Sequence, residues 1–390
     1  MNKTQSPATL ARLAAGIPEI NSSLYWRIGF CVGDPVAVIE LPESAGGESV
    51  LILRDIEMER ARQRARVTRV ACPADYTPEG GLSGDRETAT AQAAAECLRR
   101  AGVTQVAAHR SVPLIFADVV RRAGVEVACD LDLWVDERRS KSADEVELLR
   151  QAQQVTEEVM RMACERIAAA GARGDGVLLH EGRPLTSALM RAAIDHWLLD
   201  RGFANVPSIV ACGPEGADCH NLGHGELKTG QPVIVDIFPR NQQTRYWGDC
   251  TRTVVHGEIP DEVRRMHAAV CAAKAAATAA VRAGVTGEAV HLATKQSIRA
   301  AGFAVGIPDE HAPLSYCALT HGTGHGVGLD VHEPPLLDMK GPKLLVGDAI
   351  TIEPGLYRRD LGGVRVEDMV VVTPEGCQNL NRLPEGLCWK

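Results

Sequence analysis

The chain has 390 residues, of which 45% are hydrophobic, 24% charged and 4% aromatic. This length exceeds what one hydrophobic core usually organises, and the composition is that of a globular protein, so we expect two domains and exclude a disordered or fibrous chain. The formal net charge of -8 argues against a broad surface for nucleic acid or anionic lipid. Small molecules or peptides are the expected partners.

The cysteines and the apolar segments point to one compartment. Twelve cysteines are scattered without a CxxC pair, and the closest two are Cys212 and Cys219, a pattern typical of reduced thiols. The first thirty residues contain no apolar segment of signal-peptide length, and no uncharged apolar run approaches the ~18 residues of a membrane span. The sequence therefore predicts a cytoplasmic protein without a membrane segment.

The first third of the chain alternates short apolar runs with helical stretches. Strands are predicted at 35–42, 49–56, 66–73, 104–109 and 125–130, and helices at 87–102 and 113–124. This pattern indicates an α/β domain, in which we find no catalytic motif. The polar segment VDERRSKSADE follows. We place the boundary near Asp136, with domains at 1–136 and 137–390.

The second domain contains a repeated pattern. A capping box at Ser142 and Glu145 predicts the start of a long helix, and a second long helix is predicted from Asp261. The motif Asp-Glu-Val occurs at both helix starts, at an offset of 117 residues. An internal duplication explains this offset, and a chance likeness between ordinary hairpins is the alternative.

The same offset recurs in two predicted hairpins that carry acidic residues. Asp236 and Glu353 are 117 residues apart, and Asp249 and Glu367 are 118 apart. Strand alternation directs such side chains toward an apolar layer, where carboxylates need protonation or cations. Two divalent ions would cancel four negative charges, so the quartet favours a two-metal site. The alternative is salt bridging by the nearby arginines 252 and 365.

A glycine-rich segment, HGTGHGVGLDVHE, adds His321, His325 and His332. One imidazole can bind a metal while another donates a hydrogen bond to a developing oxyanion. The alternatives are a surface loop that is rich in histidine and glycine by chance and a separate structural zinc site, although Cys317 is the only nearby thiol. His220 is a further candidate, and His224 competes with it.

These motifs resemble the metallopeptidases of the pita-bread fold, which include Xaa-Pro dipeptidases (prolidases), proline aminopeptidases and methionine aminopeptidases. The resemblance covers about residues 140 to 375 and is most specific at HGTGHGVGLDVHE and GGVRVED. It implies an α+β catalytic domain with an internal pseudo-two-fold duplication. The preceding α/β domain is similar to that of the creatinase/prolidase branch.

The resemblance implies roles for individual residues. Metal ligands are expected at Asp236, Asp249, His325, Glu353 and Glu367, with Asp249 and Glu367 bridging two divalent ions. Manganese is the expected metal, with cobalt, iron or zinc as alternatives. Catalytic roles are expected for Glu353 as proton carrier, His321 and His332 beside the tetrahedral intermediate, His220 over the substrate amide, and Arg365 as organiser of the site or of a substrate carboxylate.

Two departures from the family pattern stand out. Asp236 and Asp249 are thirteen residues apart where the family has about eleven, and an even insertion preserves which face each acid occupies. Cys219 precedes His220 at a position where the family commonly has proline. Among the assigned residues, the resemblance is therefore weakest at His220.

The resemblance predicts a homodimeric enzyme that hydrolyses short peptides near the N terminus, at X-Pro bonds, as a dipeptidase or an aminopeptidase. Fold does not fix function, so two other classes stay open. One is a different enzyme on the same scaffold, either a creatinase-like C–N hydrolase or a metal-dependent lyase. The other is a non-catalytic binding protein, which would typically have lost ligands.

Overall fold

The computed structural model describes residues 10–389, which divide into two compact units, one up to Arg138 and one from Arg139 onward. The domain limits expected from the sequence stay a prediction. All twelve cysteines lie within the described residues and are free thiols. Every helix among these residues is too short or too polar to cross a bilayer. Residues 1–9, part of the segment in which no leader is expected, lie outside the described residues.

The N-terminal unit is a six-stranded mixed sheet with helices, in the order β4-β3-β2-β1-β5-β6. Its strands are β1 (Ala11–Gly16), β2 (Val36–Glu40), β3 (Ser49–Ile52), β4 (Arg69–Ala71), β5 (Gln105–His109) and β6 (Glu126–Asp130), and its helices are α1 (Ser22–Ile28), α2 (Met58–Arg64), α3 (Arg86–Arg100) and α4 (Leu114–Arg122). The predicted strands and helices of this region are confirmed, whereas the central strand β1 and helices α1 and α2 were not predicted. Helix α5 (Val135–Arg139) contains the boundary between the units.

The C-terminal unit contains two pairs of helices, and the first helix of each pair begins where the sequence predicts. They are α6 (Ala143–Ala168), α7 (Ser187–Leu199), α8 (Asp261–Ala280) and α9 (Gly287–Ala300). Ser142 and Glu145 form the predicted capping box: each side chain accepts a hydrogen bond from the other residue's backbone N–H, at 3.3 and 2.9 Å. These bonds satisfy backbone donors that have no partner in the first turn of α6.

The strands of this unit form several sheets, of which two position the site. Their orders are β11-β12-β14 and β18-β17-β19-β22-β23. The strands are β7 (Gly171–Ala172), β8 (Leu178–His180), β9 (Arg183–Pro184), β10 (Phe203–Ala204), β11 (Ile209–Cys212), β12 (Pro232–Ile237), β13 (Arg240–Asn241), β14 (Cys250–Val255), β15 (Ala304–Val305), β16 (Cys317–Leu319), β17 (Gly324–Gly326), β18 (Glu333–Leu337), β19 (Ala349–Ile352), β20 (Gly355–Arg358), β21 (Gly362–Arg365), β22 (Asp368–Val372) and β23 (Cys377–Asn379).

The internal duplication is confirmed by the order of these elements. Helices α6 and α7 precede the antiparallel pair β12–β14, and helices α8 and α9 precede the antiparallel pair β19–β22. Gly230 and Gly347, before β12 and β19, have φ values of 73° and 91°, a conformation that glycine adopts without a steric penalty. Each copy therefore enters its hairpin through the same kind of turn.

Candidate active site

The four predicted acids lie at matching ends of the two hairpins. Asp236 is the penultimate residue of β12, and Glu353 follows the last residue of β19. Asp249 and Glu367 each come immediately before the second strand of their hairpin, β14 and β22. Because the paired strands are antiparallel, the end of one strand lies beside the start of its partner. The two copies therefore bring all four carboxyl groups to one place.

The nine residues predicted for the site all line one cavity of about 320 Å³. They are Asp236, Asp249, His325, Glu353, Glu367, His220, His321, His332 and Arg365. The structure thus brings the whole predicted set together, while the role of each residue stays a prediction. His224 is not part of this lining and lies 3.8 Å from Glu215, so of the two competing histidines the cavity contains His220.

The side chains of Asp249, His325 and Glu367 could hold a metal ion together, because their ligand atoms lie within 4.8 Å of one another. The Nε2 atom of His325 is 3.7 Å from Oδ2 of Asp249 and 3.4 Å from Oε1 of Glu353. The other ring nitrogen, Nδ1, contacts the carbonyl oxygen of Gly326 at 3.1 Å. That contact fixes the imidazole so that Nε2 faces the carboxylates.

The cavity carboxylates are buried with little positive charge nearby. Burial, followed by the other cavity carboxylates, raises the pKa of Asp249 and of Glu367 well above its usual value. Burial also raises the pKa of Glu353 to about 7. Without a cation such a group holds protons, since adjacent buried carboxylates cannot all ionise. The arrangement is therefore one that binding of a cation would stabilise.

The imidazole of His325 is in the form that binds metals. Burial, followed by the neighbouring His332, lowers the pKa of His325 to about 4, so the ring is neutral near pH 7. The ring of His332 meets that of His325 edge-on, with 4.2 Å between their centroids. A neutral ring leaves the Nε2 lone pair of His325 free to accept a cation.

Arg365 connects several side chains of the cavity. Its Nη2 donates to Oδ2 of Asp236 at 2.7 Å, Nη1 donates to the Tyr357 hydroxyl at 2.8 Å, and Nε donates to Oγ1 of Thr251 at 3.2 Å. Burial opposes its charge, but Tyr357, Asp236 and Glu353 outweigh burial and raise the pKa of Arg365. Arg365 therefore stays charged and holds Asp236 in place.

The salt bridge considered as an alternative is formed by one acid of the quartet, Asp236, whereas Asp249 and Glu367 pair with neither of the nearby arginines. Arg365 pairs with Asp236, and Arg252 pairs with Asp368 at 2.8 Å. Side chains on adjacent residues of a strand point to opposite faces, so Arg252 lies on the face opposite to Thr251. Thr251 instead donates to Oε2 of Glu367 at 2.8 Å.

His321 uses both ring nitrogens within the protein. Nδ1 contacts the carbonyl oxygen of Gly322 at 2.8 Å, and Nε2 contacts the Tyr357 hydroxyl at 2.7 Å. The carbonyl can only accept, so Nδ1 carries the proton and Nε2 accepts from the tyrosine. Burial lowers the pKa of His321 to about 3, which keeps the ring neutral.

Two residues of this network were not predicted from the sequence, Tyr357 and Thr251. Both lie close in sequence to a predicted acid. Tyr357 is four residues after Glu353, and Thr251 is two residues after Asp249, on the same face of the strand. A search for hydroxyl groups sharing a strand face with the acids would have found Thr251.

Comparisons with known proteins agree with this geometry. A model of metallopeptidase family M24 matches residues 147–374. The probable dipeptidase PepE of Mycobacterium tuberculosis is 37% identical over 205 residues, 52% of this chain and 51% of that protein. An Xaa-Pro dipeptidase of Pyrococcus furiosus is 28% identical over 256 residues, 64% of this chain and 65% of that protein. The matched stretches thus span between half and two thirds of these relatives.

Similarity at the level of structure extends over nearly the whole chain. The crystal structure of dipeptidase PepE from Mycobacterium ulcerans matches with a TM-score of 0.73 and 28% identity, covering 97% of this chain and 92% of that chain. The fold is therefore the α+β pita-bread fold with an N-terminal α/β domain, as the sequence predicted. The chain belongs to metallopeptidase family M24.

Proposed function

We propose that this protein hydrolyses short peptides near their N terminus, at X-Pro bonds, with two divalent ions in the cavity. The observation that carries the proposal is the group of buried carboxylates around Asp249 and Glu367, which lacks counter-charge and faces the imidazole of His325. The names of the relatives, a probable dipeptidase and an Xaa-Pro dipeptidase, support a peptide substrate and the X-Pro bond.

The donor set suits two divalent cations. Four carboxylates and one neutral imidazole offer mainly hard oxygen ligands, which favour manganese, although cobalt, iron or zinc could bind the same atoms. Asp236, Asp249, His325, Glu353 and Glu367 would hold the ions. When bound, the ions would supply Lewis acidity that polarises the scissile carbonyl and activates a water molecule.

The chain's own residues then supply proton transfer and positioning. Glu353, with a pKa of about 7, is suited to accept a proton from water and return it to the leaving amine. His332 lines the cavity with its ring against His325, where an N–H can face a developing oxyanion. His321 acts through Tyr357 on Arg365, which keeps Asp236 oriented.

A screen of peptides tests the proposal. The protein, reconstituted with manganese, is incubated with X-Pro dipeptides, X-Pro-Y tripeptides and the same peptides with alanine in place of proline, and new amines are quantified. We expect cleavage of the proline-containing peptides. Exclusive cleavage of the alanine controls would contradict the X-Pro assignment, and inactivity on all peptides with stoichiometric metal bound would contradict peptidase activity.

The proposal includes a homodimer, which the family resemblance implies. Sedimentation velocity of the purified protein at micromolar concentration should show one species of twice the chain mass. A monomer at these concentrations would contradict this part of the proposal without affecting the catalytic part.

A further inference from the structure

The cavity contains a fifth carboxylate, on Asp338, which is not one of the predicted ligands. Its side chain is 49% exposed. Among the cavity-lining residues of the described part of the chain, Arg365 is the single lysine or arginine. The side chain of Arg365 is only 3% exposed and already pairs with Asp236. A free carboxylate on a substrate would therefore meet an acid here and no available lysine or arginine side chain.

The neighbour of Asp338 does not cancel this charge. Nε2 of His291 lies 3.4 Å from Oδ1 of Asp338, and the same oxygen accepts a hydrogen bond from the backbone N–H of Met339 at 2.6 Å. Burial lowers the pKa of His291, so its ring is neutral near pH 7. The negative charge of Asp338 is thus exposed to the cavity.

An apolar groove continues from the cavity on this side. It shares His332 and Leu336 with the cavity lining, and its further lining residues are Glu333, Pro334, Pro335, Met339, Lys340, Gly341 and Pro342. Leu336 and Met339 are 56% and 49% exposed. The groove therefore offers apolar contact to a chain that leaves the cavity.

We propose that the substrate runs past the scissile bond into this groove, so that the site selects peptides of three or more residues over dipeptides with a free carboxylate. The inference rests on the proposed function and narrows its substrate class. In a dipeptide, the carboxylate lies on the residue directly after the scissile bond, where Asp338 repels it. A longer peptide places a neutral amide there and gains contact with Leu336.

The test separates the effect of the substrate's terminal charge from the effect of its length. Rates are compared for Ala-Pro with a free carboxylate, for Ala-Pro amide and for Ala-Pro-Leu, all with the manganese-loaded full chain. Because juxtaposed like charges oppose binding strongly, we expect kcat/KM for the free dipeptide to be at least about tenfold below that of its amide. The tripeptide should be the best of the three substrates.

Four variants, two of them controls, assign the effect to individual residues. Asp338→Asn should raise kcat/KM for the free dipeptide, and Leu336→Arg should raise it further by adding a cation at an exposed position. Leu336→Met, which is of similar size and uncharged, should not raise it. Lys340→Met should leave the ratio of dipeptide to amide unchanged, because Lys340 lines the groove and not the cavity. Retained cleavage of the amide shows that a variant is folded.

The outcomes separate this inference from the proposed function. Equal or faster cleavage of the free dipeptide than of its amide overturns the inference alone. So does a Leu336→Arg variant that cleaves the amide but gains nothing on the free dipeptide. Failure on all three substrates, with metal bound, overturns the proposed function and this inference with it.

Discussion

Glu367 and Asp368 are adjacent in sequence and almost equally buried, with exposures of 2% and 4%, yet their surroundings are opposite. Asp368 accepts hydrogen bonds from Arg252, Lys274 and Asn379. Burial would raise the pKa of Asp368, but Arg252 and Lys274 outweigh burial and lower it. Glu367 faces the cavity carboxylates, and its pKa is raised.

The difference distinguishes a buried carboxylate that stabilises the fold, Asp368, from one that faces the cavity, Glu367. On the Asp368 side of β22, two cations and an amide satisfy the acid, so the group is a structural ion-pair cluster. On the Glu367 side, Thr251 donates one hydrogen bond and Arg365 is taken up by Asp236. Since Arg252 and Lys274 pair with Asp368 while Arg365 in the cavity pairs with Asp236 and not with Glu367, the cavity face can accept a cation that the chain does not supply.

The largest expected effect on activity comes from replacing the carboxyl group of Glu367, on the cavity side of β22. Glu367→Gln should lower kcat/KM by more than 100-fold, because even residues that merely orient metal ligands typically account for about 10–100-fold. Metal content by elemental analysis should fall in parallel. Full metal content with undiminished turnover would contradict the assignment of Glu367 as a ligand.

The matched substitution of Asp368, on the opposite side of β22, should lower the free energy of unfolding. Asp368→Asn removes the carboxylate that pairs with buried Arg252 and Lys274, of which Lys274 keeps a second partner in Glu385 at 2.7 Å. Breaking a buried ion pair in this way costs about 3–5 kcal/mol. Chemical denaturation of metal-free protein at pH 8 measures this loss. In the same assay Glu367→Gln should be at least as stable as the parent, because an acid with a raised pKa destabilises the folded state once ionised. Equal destabilisation by both substitutions would remove the distinction between the two faces.

Metal affinity should depend on pH with a defined sign. The raised pKa values of Asp249, Glu353 and Glu367 mean that metal must displace protons, so affinity falls as the pH is lowered. With Glu353 at about 7, we expect about a tenfold loss per pH unit below 7 for each proton displaced. Calorimetry in buffers of different ionisation enthalpy measures the protons released. Proton uptake on binding would refute the raised pKa values.

A smaller effect is expected from loss of the Tyr357 hydroxyl, which connects His321 with Arg365. Tyr357→Phe removes the bonds to His321 and Arg365 but keeps the ring, and we expect about a tenfold fall in kcat with metal content retained. Steady-state kinetics with full metal occupancy provide the measurement. A loss of metal as complete as in Glu367→Gln would show that Tyr357 supports a ligand more directly than proposed.

The sequence predicted those features that depend on local spacing. The offset of 117 residues located the hairpins and their acids, because a duplicated unit repeats its strand registers. The network around Arg365 was predicted only in part: Arg365 was expected to organise the site or a substrate carboxylate, but its partner Asp236, 129 positions away, was not identified. Strand β1 was missed because ARLAAG has low strand propensity, and its central place in the sheet depends on neighbours distant in the chain.

Two of the buried arginines form ion pairs between the halves of the duplicated unit. Arg252, from the first half, neutralises Asp368 of the second, and Arg365, from the second half, neutralises Asp236 of the first. A fragment ending between β14 and α8 would leave a desolvated guanidinium or carboxylate in each piece. The halves have therefore become mutually dependent: cut there, they should regain a stable structure only by recombining, as complementing fragments.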